Sequence, residues 1–235
     1  MRDLSFPPLM SGLALSGAAS PFDKAVAMAA LGCDAGIVVH NVTDRALRAA
    51  LVLAPEVPLR EAMAMLPACG LGLQNALGAL APPEVAVQLE WAGGLRVNGA
   101  RCGRLRVAAG GRDPEALPGW LVVGLDLPLW SATDRPGDHP HDTALFEEGC
   151  AEVDPHALLE AWARHTLVWI TRWEEAGASA LHADWRGLAW GMGEAMTRDG
   201  VSGTWLGVDE DFGMLLRVGD ATRLIPLTTL LEAPQ

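Results

Sequence analysis

The chain has one lysine, Lys24, among 17 basic residues, so nearly every positive charge is an arginine. Acidic residues number 29, which leaves a net charge of −12 and a pI near 4.8. A surface with that balance repels a phosphate backbone or an anionic bilayer, so neither nucleic acid nor a membrane is expected as a partner. Cysteine is scarce as well. Cys33, Cys69, Cys102 and Cys150 form no CxxC pair and no zinc-ligand spacing, which predicts reduced thiols in a cytoplasmic protein. No uninterrupted run of about eighteen apolar residues is present to span a bilayer. The N-terminal MRDLSFPPLMSGLALSG sets an Asp beside its only Arg and is broken by Pro7-Pro8, unlike a secretory signal. Without secretion the sequon Asn41-Val42-Thr43 carries no consequence.

What is present suffices for one good core and a small second module, because half of the 235 residues are hydrophobic. The most organised stretch is QLEWAGGLRVNGARCGRLRV, from Gln88 to Val107. Strand-like Val85 to Leu89, a turn at Gly93-Gly94, strand-like Leu95 to Val97 and an Asn98-Gly99 hairpin signal precede a third strand. Gly103 interrupts that strand where backbone or ligand comes close, and Arg104 and Arg106 alternate beyond it. Residues 1 to 19 read as an extended arm. Ser20 caps a helix running to Leu31, with Pro21 in its first turn. Ala35 to His40 and Ala49 to Leu53 are strands, Leu59 to Leu80 is a helix with kinks expected at Pro67 and Gly70, and Trp120 to Leu129 is a buried strand. Asp154-Pro155 opens a helix to about Glu175. Val201 to Val208, Gly213 to Val218 and Ala221 to Ile225 form three short strands.

The order Trp91, two turn glycines, an apolar residue, Asn98-Gly99 and Gly103 resembles the central motif of biotin and lipoate protein ligases. That motif runs Lys-Trp-Pro-Asn-Asp, strand, Gly-Arg-Lys, apolar, Ala-Gly. Trp91 matches its tryptophan, Gly93-Gly94 its Asn-Asp turn and Gly103 its closing glycine. Ser20 matches the first residue of the family's Ser-Thr-Asn helix opening, which Pro21 and Phe22 do not continue. Gly124 matches the first glycine of the family's Gly-x-Gly-Ile-Asn strand end, Trp185 a tryptophan in the linker, and GTWLGVDEDFGMLL the small C-terminal domain. The resemblance implies an α+β fold, a mostly antiparallel sheet flanked by helices, with an SH3-like C-terminal β unit. It divides the chain at 1–180 (ligase-like domain), 181–199 (linker, with hinge glycines) and 200–235 (small β domain). It also implies ATP and biotin or lipoate as ligands, and a small-molecule acid or acyl-carrier domain as partner. The ligand site it implies comprises Ser20, Arg45, Arg48, Trp91, Gly94, Asn98, Arg101, Gly103, Arg104 and Gly124.

The chemistry departs from that pattern. Glu90 stands at the family's first lysine, and Ala100 or Arg101 at its second. The family's Gly-Arg-Gly-Arg-x-Gly-Arg adenylate loop uses glycines so that backbone N–H groups wrap a phosphate. Here NVTDRALRAALVLAPE has no glycine, and only Arg45 and Arg48 remain. Asp126 replaces the second strand glycine, where a carboxylate would repel an acyl phosphate. His139, His141 and Asp142 read as a solvated loop rather than a metal site. Cys150, near the acyl-accepting cysteine of related octanoyl transferases, lacks their lysine and has Glu147 and Glu148 beside it, which would raise its pKa. The expected function is therefore a divergent ligase-like protein that binds a small acyl acid or its adenylate, with the family's catalytic residues largely lost. An active ATP-dependent acyl-protein ligase and a non-catalytic scaffold or homo-oligomer, such as a homodimer, are the alternatives.

Overall fold

The computed structural model describes residues 4–131, 141–198 and 200–233. Seven strands form one sheet in the order β1-β2-β3-β7-β6-β5-β4. They are β1 (Ser11–Ala14), β2 (Ile37–Val42), β3 (Ala46–Leu53), β4 (Val87–Leu89), β5 (Gly94–Val97), β6 (Ala100–Ala109) and β7 (Leu121–Pro128). Only the β1–β2 pair is parallel, which gives the mostly antiparallel sheet expected. The arm contributes β1 to its edge, and Leu15 N donates onward to His40 O at 2.7 Å.

α1 (Pro21–Ala30) covers one face of the sheet. Ser20 takes an extended conformation and its Oγ accepts from Asp23 N, as a cap should. Phe22, Ala25, Val26 and Ala29 meet Val39, Ala50, Val52, Ala108 and Val122 beneath them. The opposite face carries the main core under α2 (Leu59–Ala62), α3 (Met65–Leu80) and α4 (Pro155–Ala176). The helix expected from Leu59 to Leu80 breaks at Met63–Ala64 rather than at its glycines. Pro67 has no N–H for the Met63 carbonyl, which accepts from Leu66 N instead. Gly70 and Gly72 stay helical and serve close approach: a Cβ at 70 would press on Leu89 and Leu105, and one at 72 on Thr166 of α4. By length and composition Leu59–Leu80 would suffice to cross a bilayer, but 72% of that window is buried inside the protein.

Asp154 caps α4 by accepting from His156 N at 2.9 Å. Residues 181–188 are helical, the main part of α5 (Ser179–Leu188), and Trp185 is buried there instead of sitting in a hinge. The C-terminal region has four antiparallel strands in the order β11-β10-β9-β8, one more than expected. β9 (Val201–Val208), β10 (Met214–Val218) and β11 (Ala221–Ile225) fall where predicted. β8 (Ala195–Arg198) is the addition, four residues whose strand character comes from pairing with β9 rather than from an apolar alternation. The small sheet rests on the large domain through one continuous core. Trp185 lies edge-on to Trp205 and Phe212, and Trp91 Nε1 donates to Phe212 O at 2.7 Å.

Candidate functional site

On the α1 face, register sets side chains from β3, β7 and β6 in rows. Arg48, Asp126 and Arg104 form one row, and Ala50, Gly124 and Arg106 form the next. Arg48 Nε lies 3.1 Å from Asp126 Oδ1. Arg104 is exposed and makes no ion pair among the described residues. Gly103 bends β6 at φ +97°, where a Cβ would strike the Asp126 carbonyl, so the close approach anticipated at this glycine is to β7 itself. The first row floors a groove of about 480 Å³, walled by Arg101, Leu127, Pro128, Asp142 and Thr143. Arg101 joins because its backbone pairs with residues 141–143, which take the place beside β6 that β7 has left.

The second row is covered. Phe22 of α1 lies over Gly124, where a Cβ would come within 2.5 Å of Phe22 Cδ2. The Arg106 guanidinium lies 4.2 Å from the centre of the same ring. Between Ser20, Arg48, Arg106 and Gly124 only about 10 Å³ remains, room for roughly one water. Gly124 is therefore kept small by a side chain of this chain. Arg106 is held by Glu232, whose two carboxylate oxygens take Nε and Nη2 at 2.9 and 2.5 Å. That bond raises the guanidinium pKa, against the opposing effect of burial.

The glycine-free stretch after His40 is a tight hairpin rather than a loop. β2 runs on to Val42, Thr43 N donates to Ala46 O at 2.9 Å, and Thr43 Oγ1 accepts from Ala46 N at 3.1 Å. Arg45 sits on its exposed turn, with Nη1 3.3 Å from Ser131 O, while Arg48 is carried into the sheet. Glu90 accepts from Arg96 Nε at 2.7 Å and from Arg101 Nε at 3.2 Å. The Glu90 carboxylate is thus answered by two arginines.

Of the ten residues proposed from sequence, Arg48, Arg101, Gly103 and Arg104 line the groove, and Ser20 and Gly124 line the narrow space beside it. The other four lie elsewhere. Trp91 is buried beneath the C-terminal sheet. Gly94 packs against the Glu90 carboxylate. Asn98 adopts φ +51° in its turn and accepts from Ala86 N at 3.0 Å, and Arg45 stays on the hairpin tip. Phe22, Arg106 and Glu232 fall outside the ten. The mismatch at Phe22 with the helix-opening signature is the signal for the first, and strand alternation from Arg104 points to the second. Nothing in sequence points to Glu232, which lies 126 residues from Arg106.

Among the described residues no three His, Cys, Asp or Glu side chains gather as metal ligands. His139 lies outside the described residues. Cys150 is buried, and burial followed by Glu148 pushes its thiol pKa up, opposite to what a nucleophile needs.

A family model described as the biotin/lipoate A/B protein ligase family matches residues 6–187, and one for a domain of unknown function (DUF4444) matches residues 192–233. No curated protein matches the chain. Among solved structures, a biotin protein ligase-like protein of unknown function from Silicibacter sp. TM1040 is 63% identical. The match covers 98% of this chain and 100% of that one, with a TM-score of 0.94. The biotin protein ligase of Aquifex aeolicus is 14% identical with a TM-score of 0.73, covering 94% and 96%. The same enzyme in complex with biotin and ATP gives 14% identity and 0.70, covering 92% and 95%. At that identity the likeness is one of fold.

Proposed function

This chain belongs to the biotin/lipoate A/B protein ligase family, and we propose that within it the chain binds a small acyl acid, or the adenylate of one, without activating it. The observation that carries this reading is the Arg48–Asp126–Arg104 row, with Arg101 at its edge, opening into a groove large enough for a small molecule. Guanidinium groups bind carboxylate and phosphate oxygens bidentately, and each charge-assisted bond contributes about 1.5–3 kcal/mol. The biotin and ATP held by the Aquifex aeolicus enzyme make a biotin- or lipoate-type acid and its adenylate the first ligands to try.

Activation is a different matter. The β2–β3 hairpin has no glycines with which to wrap a triphosphate, and the single lysine lies on the exposed side of α1. Asp126 is paired with Arg48, so that arginine is only partly available to a phosphate. Phe22 covers the sheet surface at Gly124. A small-molecule acid, free or carried on an acyl-carrier domain, is the proposed partner.

Two measurements test this. Calorimetry with biotin, lipoate, octanoate and their non-hydrolysable adenylate analogues should show saturable binding to the purified chain. ATP–pyrophosphate exchange with the same acids should stay at background. Exchange above background would make the chain an active acyl-protein ligase whose arginines replace the lysines. Absence of heat with every ligand would sink the binding reading.

A further inference from the structure

We propose that Arg106 is a carboxylate-binding site that the chain fills with its own Glu232, so that a ligand acid reaches Arg106 only by displacing the C-terminal segment. The inference rests on the groove being an acid site, since Arg106 stands one row inward from Arg104 on the same face of β6.

Three observations lead to it. The first is the quality of the carboxylate's seat. Arg106 is mostly buried, with 14% of its side chain exposed, and it lies on the Phe22 ring. Glu232 engages it with both oxygens, in the fork geometry that Arg offers any carboxylate, whereas Asp23 approaches only to 4.0 Å. The second is how the carboxylate arrives. β5 pairs with β6 no further than Arg104, so the edge of β6 beyond it is open. The C-terminal segment runs along that edge, with Glu232 N donating to Val107 O at 2.9 Å and Arg112 Nη2 reaching Leu231 O at 3.3 Å. Leu227 and Leu231 are buried, whereas Glu232 beyond them keeps a third of its side chain exposed.

The third observation is what lies next to the seat. Ser20, Arg48 and Gly124 line a narrow space beside Arg106 that shares Arg48 and Asp126 with the groove, and the buried Phe22 closes it. Exchanging one carboxylate for another leaves the charge on Arg106 neutralised, and what a ligand has to overcome is the effective concentration of the tethered Glu232.

Chemical protection of Arg106 tests the idea with octanoate as the probe, whatever the natural ligand. The full chain and its Glu232→Gln form would be treated with phenylglyoxal and each arginine followed by peptide mass spectrometry, with exposed Arg223 of β11 as internal reference. Arg106 should react at least about tenfold more slowly than Arg223 in the unmodified chain and about tenfold faster in the variant than in that chain, as loss of a bidentate charged partner implies. Millimolar octanoate should restore protection in the variant. Equal Arg106 reactivity in the two proteins overturns the proposal, and so does octanoate failing to protect the variant. Calorimetry on the unmodified chain reads the groove separately: heat that depends on Arg104 without protection of Arg106 in the variant removes this proposal and leaves the groove, and protection without such heat overturns the groove on which the proposal rests.

Discussion

Arg104 is the residue whose removal should affect ligand most and the fold least. Its side chain is exposed, bonded to nothing among the described residues, and directly opposite Asp126 across the β6–β7 ladder. Arg104→Ala is expected to weaken binding of octanoate or an adenylate analogue by about tenfold, the loss of roughly 1.4 kcal/mol, as measured by calorimetry, with the thermal midpoint unchanged. Cysteine reactivity gives an independent check on burial. Burial pushes the Cys69 and Cys102 thiols up to about 12, and Cys150 is raised for the same reason and by Glu148. Only Cys33, which is half-buried, should react with a thiol reagent at pH 8 while the protein is folded. Labelling of Cys150 in the native protein would restore it as a nucleophile. At this scale the sequence is informative about type and poor about place. The arginines that line the groove are legible because strand alternation puts Arg48 and Arg104 on one face. Arg45, three residues from Arg48, is not separable from it by spacing. Only the hairpin geometry at Thr43 leaves one at a turn and carries the other into the sheet.

Among the elements, α1 decides how deep a ligand can go. Its first turn drops Phe22 onto Gly124, which closes the sheet surface to about 10 Å³. Phe22→Ala should open that space and tighten octanoate binding, while destabilising the chain by up to about 3–5 kcal/mol, the range for a buried phenylalanine. Phe22→Leu, a milder truncation, should move both quantities in the same direction and by less. Unchanged octanoate affinity in both variants would show that Phe22 is not the barrier. The helix itself is readable from Ser20, Pro21 and the alanine-rich body, because capping is a local matter. The hairpin is less so. A stretch without glycine reads as a loop up to Arg48, yet β3 begins at Ala46, because Thr43 provides with its hydroxyl the turn that a glycine would otherwise make. The break at Met63 shows the same limit: proline's effect falls four residues upstream, on the carbonyl it cannot serve.

For the molecule as a whole, the two sheets share one core, with Trp91, Trp185, Trp205 and Phe212 meeting between them. Unfolding should therefore be a single transition rather than two. Trp91→Phe, which removes the donor to the Phe212 carbonyl, should lower the stability of the whole chain by about 1–3 kcal/mol while leaving octanoate binding intact. Urea unfolding read by fluorescence and by calorimetric binding would separate the two effects. Stability should also fall with acid. Burial, then His156, lowers the pKa of His40 from 6.5, and burial, then Arg164, lowers that of His165. Below pH 6.5 the unfolded chain therefore binds protons that the native one refuses. Native stability is full above that pH and declines as pH falls through the folded pKa of each histidine. Urea midpoints at pH 7.5 and 5.5 should differ in that sense, and His40→Asn should narrow the difference. The fold at this scale is legible because a chain-long order of weak motifs constrains topology more than any motif alone. What escapes is contact across that order, since no local pattern announces that Glu232 returns to Arg106.

That return has a consequence in time. During synthesis Arg106 precedes Glu232 by 126 residues, which at about 5–20 residues per second is on the order of ten seconds. Once β7 has been made, the nascent sheet carries an arginine whose bidentate carboxylate is still to be synthesised. On the proposal that Arg106 takes a ligand carboxylate, that ligand meets the arginine before the chain does, and Glu232 then arrives as a competitor rather than as the first occupant.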